Sequence, residues 1–89
     1  MPEISYFYGI KISMFFDESS RHHLPHIHAK YSGRVSSFTI EDGNLIRGKI
    51  PKPQKRLVQA WIELHKKELM DNWQISVNGG NPFRIEPLR

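Results

Sequence analysis

From residue 10 the chain alternates. Ile10, Ile12, Met14 and Phe16 share one parity, and Lys11, Ser13, Phe15 and Asp17 the other. A period of two belongs to a strand with one face buried. Residues 4–8 are also aromatic and β-branched, and Gly9 between the two stretches predicts a bend or bulge in one long first strand. Residues 17–25 are polar, contain Ser19-Ser20, and read as a loop. In the second strand, residues 26–31, Ile27, Ala29 and Tyr31 oppose His26, His28 and Lys30. Ser32-Gly33 marks a turn, and residues 35–41 form a third strand with Phe38 and Ile40 on one face. Asp42-Gly43-Asn44 predicts a hairpin into a fourth strand over residues 45–50. The expectation is an antiparallel β-meander of about four strands.

After Pro51 and Pro53 the period changes. Leu57, Trp61, Leu64 and Ile75 share one helical stripe, with Val58, Ile62, Leu69 and Trp73 beside it. A single helix over residues 54–78 would be ~37 Å long. Asn78-Gly79-Gly80 ends it, and Asp71-Asn72 is the point where it would break, both residues being poor in helix interiors. Glu63 and Lys67 are spaced for an i,i+4 ion pair. The apolar arc is wider than one sheet face covers. Either the Pro82-Phe83-Arg84-Ile85 segment folds back over the surplus or a partner does. The fold class predicted is α+β: one domain over residues 1–89, with one long C-terminal helix packed on one face of the sheet.

Alternation then dictates what the other sheet face carries. It presents Lys11, Ser13, Phe15 and Asp17 from the first strand and His26, His28 and Lys30 from the second, joined by Arg47 and Lys49 from the fourth. Composition sharpens this. The net charge of +4 favours an anionic partner, either nucleic acid or an acidic protein. Apolar residues at 38% and charged residues at 25% place the chain among folded globular proteins rather than disordered ones. The absence of cysteine excludes disulfides and thiolate metal sites. With no signal-peptide pattern and no apolar run of membrane-spanning length, the expected location is the cytoplasm.

Four of the five histidines lie within residues 22–28. His22 and His23 belong to the loop, whereas His26 and His28 project side by side from one strand face. That pair permits three readings. It could hold a divalent metal with Asp17, His22 or His23 completing the set, although flanking lysines disfavour a cation. It could cleave RNA without metal, with His26 and His28 as the catalytic acid and base. Lys11, Phe15, Lys30, Arg47 and Lys49 would then bind the strand, Phe15 by stacking. Or the histidines are structural and the face binds a partner. His65, on the apolar side of the helix, reads as a core residue.

The runs Phe7-Tyr8-Gly9-Ile10, Met14-Phe15-Phe16-Asp17, Pro25-His26-Ile27-His28-Ala29-Lys30-Tyr31 and Leu57-Val58-Gln59-Ala60-Trp61-Ile62-Glu63-Leu64-His65, with Asn72-Trp73 and the tail Phe83-Arg84-Ile85-Glu86-Pro87-Leu88, resemble a small bacterial family catalogued as domain of unknown function 4160. The resemblance covers nearly the whole chain. It implies a stand-alone small protein encoded beside a second small protein, an arrangement similar to a toxin–antitoxin pair. It supplies no catalytic residues. The functional expectation is a component of a toxin–antitoxin-like two-gene module. It would bind a small protein partner from the same operon or a second copy of itself, with nucleic acid as a further ligand and no membrane. A ribonuclease using the histidine pair and a divalent-metal-binding protein are the alternatives, and no other cofactor is expected.

Overall fold

The computed structural model describes residues 2–17 and 24–89, and the loop histidines His22 and His23 lie outside them. Five strands form one antiparallel sheet in sequential order: β1 (Glu3–Phe7), β2 (Ile10–Ser13), β3 (His26–Tyr31), β4 (Arg34–Thr39) and β5 (Leu45–Arg47). The meander is as expected, but the first strand is two. Tyr8 and Gly9 both take positive φ, +50° and +78°, and join β1 to β2 by a two-residue turn. Ser32 and Gly33 repeat that geometry at +51° and +78° between β3 and β4. Two successive positive φ values match the right-handed twist of the paired strands. A tyrosine rarely accepts such a conformation, which is why Tyr8-Gly9 reads as a bend in the sequence.

The fourth predicted strand is shorter than its pattern. β5 ends at Arg47, and Gly48 turns the chain with φ +82°. A Cβ at Gly48 would sit 2.4 Å from the Val35 carbonyl oxygen. Only glycine lets the backbone pass so close to β4.

The helical region is also two elements: α1 (Lys52–Leu64) and α2 (Lys66–Val77). The break falls at His65, not at Asp71-Asn72. His65 leaves helical geometry at φ −120°, ψ 24°, while its N–H still bonds the Trp61 and Ile62 carbonyls. The physical reason is size. One rod over both helices would exceed the molecule's longest extent of 33 Å. The break re-aims α2 so that Leu69 and Trp73 reach the core. It also replaces the expected Glu63–Lys67 pair with Glu63–Lys66 at 3.2 Å, and it leaves Leu64 70% exposed.

The core lies between the sheet and this bent helical layer. Ile4, Phe7, Ile10, Ile12, Met14, Ile27, Ala29, Phe38 and Ile40 meet Val58, Trp61, Ile62, Leu69 and Trp73. α2 closes with two bonds of a Schellman cap, Gly80 N–H to the Ile75 carbonyl and Gly79 N–H to the Ser76 carbonyl. The tail then folds back. Ile85 is buried and donates its N–H to Ile4 at 2.8 Å, and Trp61 Nε1 donates to the Glu86 carbonyl at 2.8 Å. Asn72 is fully buried and grips the backbone of Phe83 in both directions, at 2.8 and 2.9 Å. The surplus apolar arc is therefore covered largely by the chain itself.

Candidate functional site on the open sheet face

The sheet register arranges the uncovered face into rows. One row runs Ser13, His28, Ser37, Arg47 across β2 to β5. The next runs Tyr6, Lys11, Lys30, Val35 across β1 to β4. Directly opposed residues on neighbouring strands are close enough to interact, and like charges opposed in this way are unfavourable. Lys11 and Lys30 are such a pair. Both are exposed, and neither joins an ion pair among the described residues. Tyr6 and Val35 at the ends of the row are 55% and 44% exposed.

His28 sits differently from the lysines. The Phe15 ring stacks on its imidazole, with centroids 4.7 Å apart and planes 12° off parallel. Ser13 and Ser37 on either side are buried. Burial above all, then the neighbouring His26 and Arg47, lowers the His28 pKa from 6.5 to about 4. Its Nδ1 is buried and has no hydrogen-bond partner among the described residues. At neutral pH this ring is uncharged: it can act as a ligand, but it is a weak base and cannot serve as an acid.

His26 stands at the start of β3, with its ring 5.0 Å from that of His28 and 5.2 Å from Trp73 of α2. Phe16 packs edge-on against Trp73 at 5.7 Å. The rings Phe15, His28, His26, Trp73 and Phe16 thus make a continuous chain from the open face round the end of the sheet to α2. Nδ1 of His26 lies 2.7 Å from the Leu24 carbonyl oxygen. A carbonyl only accepts, so Nδ1 carries the proton and Nε2 is left as the acceptor of the neutral ring.

Of the predicted site residues, Lys11, Lys30, His26, His28, Phe15 and Arg47 share this region. Lys49 does not join it: beyond the Gly48 turn it lines a cleft with Tyr31 and Arg34. Asp17 is exposed where the first described segment ends. Among the described residues no three His, Cys, Asp or Glu side chains gather in a metal-binding group. His65 stays apart from the pair. It is half-buried at the α1–α2 break, packed on Trp61 at 5.5 Å, with Nδ1 2.6 Å from Glu68 Oε1. Tyr6, Val35 and Trp73 were not singled out for the site by the sequence. Alternation in β1 and β4 would have placed the first two, whereas Trp73 reaches His26 only through the helix break.

The fold and this face together define a small α+β protein: a five-stranded meander backed by a broken helix, with a basic, histidine-bearing outer surface. The model of the family described as Domain of unknown function (DUF4160) matches residues 9–74, and the chain belongs to that family. A search of curated proteins and of solved structures finds no match. Among the described residues no helix is long and apolar enough to cross a membrane.

Proposed function

We propose that the protein is one component of a toxin–antitoxin-like two-gene module and acts by binding a small acidic protein across the open sheet face. The observation that carries this is the Tyr6–Lys11–Lys30–Val35 row. Two opposed, unneutralised lysines favour an anionic surface above them. The exposed tyrosine and valine at its ends favour a partner with apolar side chains, which describes a protein interface better than a phosphate backbone. Positive charge on this face disfavours a second copy of the same chain meeting it face to face. The gene arrangement implied by the family resemblance supplies the candidate. Co-expression with the neighbouring gene product, followed by size-exclusion chromatography, should give a stable complex. Separate elution of the two proteins would refute the reading.

A second reading, metal-independent RNA cleavage, is favoured by one observation: His26 is held in a single tautomer beside the neutral His28. His26, through its Nε2, would be the base, with His28 an uncharged neighbour. It requires that purified protein cut RNA and that His26→Ala or His28→Ala stop it without unfolding the chain.

A further inference from the structure

A second run of positive charge begins at Arg47, on the open face, and continues beyond the Gly48 turn into α1. Residues 47–56 hold Arg47, Lys49, Lys52, Lys55 and Arg56, and no acid occurs between Asp42 and Glu63. The ion pairs of the described residues use Glu3, Glu63, Glu68, Asp71 and Glu86, all outside this stretch, and none of its cations takes part. The acids of those ion pairs sit at the end of α1, on α2 and near the termini. The basic stretch is therefore left without an acidic neighbour in sequence or an ion-pair partner among the described residues.

The same segment borders a cleft. The β3–β4 hairpin and the stretch entering α1 border an open cleft of about 470 Å³ lined by Tyr31, Ser32, Arg34, Lys49, Ile50 and Pro51. Every side-chain polar group in that lining is a guanidinium, an ammonium, a phenol or a hydroxyl. All of these donate hydrogen bonds, and no carboxylate competes for them. α1 starts at Pro51 without a side-chain cap and without an acid in its first turn, so the terminus adds positive potential to a cleft already made by Arg34 and Lys49. A guanidinium and an ammonium lining one cleft with hydroxyl donors suit a tetrahedral oxyanion.

We infer that the cleft between Arg34 and Lys49 is a binding site for a phosphate group. It is separate from the lysine row proposed to meet a protein, and neither depends on the other. The phosphate could belong to a free phosphorylated metabolite or to a nucleic-acid chain, and two probes distinguish them. Amide NMR of the full chain is followed during titration with inorganic phosphate and, separately, with a short single-stranded RNA. Saturable shifts confined to the amides of residues 31–34, 49, 50, 52 and 54 are expected with phosphate, at millimolar concentration. Shifts of the same amides by RNA at much lower concentration would assign the source to a nucleic-acid chain. Their absence with RNA, while phosphate still saturates, would assign it to a free metabolite. Arg34→Glu together with Lys49→Glu should weaken phosphate binding by at least about tenfold, from the loss of charge-assisted hydrogen bonds. Lys67→Glu on the exposed side of α2 should leave it unchanged. Shifts spread over all lysines, or an Arg34/Lys49 variant that binds as well as the original, would overturn the assignment.

Discussion

His28 and Gly48 each show one residue answering to two demands. His28 belongs to a strand that needs an outward side chain, yet Phe15 covers it and burial holds its pKa at about 4. In the unfolded chain the same ring titrates near 6.5. Between those values the unfolded state binds more protons. Stability from this group is therefore fully present above pH 6.5 and is lost as the pH falls toward 4. NMR titration of the folded protein should place the His28 midpoint near 4, and His28→Gln should flatten that part of the stability profile. A midpoint near 6.5 would mean the ring is solvated. At Gly48, Gly48→Ala combines a left-handed backbone with a Cβ 2.4 Å from a carbonyl oxygen, and should cost ~2–4 kcal/mol. Gly33 has a similar φ but open space around it, so Gly33→Ala should cost only ~1–2 kcal/mol. Urea unfolding of both variants separates the conformational cost from the clash. Neither effect was legible in the sequence, because Phe15 meets His28 and Gly48 meets Val35 only after the sheet has formed.

Among the elements, what could be read from the chain was what depends on period alone. The faces of β2 and β3 follow the alternation of Ile10, Ile12, Ile27 and Ala29, all buried, against Lys11 and Lys30, both exposed. The helix break was misplaced because local preference points to Asp71-Asn72, whereas tertiary structure uses Asn72 for a different purpose. Its amide ties the tail to α2 through both polar atoms, and a fully buried amide with such partners is costly to remove. Asn72→Ala should destabilise the protein by ~2–3 kcal/mol and loosen the tail over Trp61. The check is tryptophan fluorescence under native conditions, which should shift to the red as Trp61 becomes wet. An unshifted spectrum would show that Ile85 and Trp61 hold the tail without Asn72.

At the scale of the whole molecule, charge and apolar surface are distributed unevenly. The fold hides most of the helices' wide apolar arc between the sheet and the tail, and it leaves Tyr6 and Val35 on the sheet face beside two opposed lysines. Net charge and alternation foreshadowed the basic face. The rows themselves depend on strand register: the two-residue turns at Tyr8-Gly9 and Ser32-Gly33 set it between β1 and β2 and between β3 and β4, whereas the β2–β3 pairing that opposes Lys11 to Lys30 spans the longer connection and was not legible in the sequence. The partner-binding account rests on that row. Its most direct test is calorimetric titration of the neighbouring gene's protein into wild type and into a Lys11→Glu, Lys30→Glu variant confirmed to be folded. The account predicts about a hundredfold weaker binding for the variant, since like charge placed against an acidic surface costs several kcal/mol. Equal affinity for both proteins would contradict it.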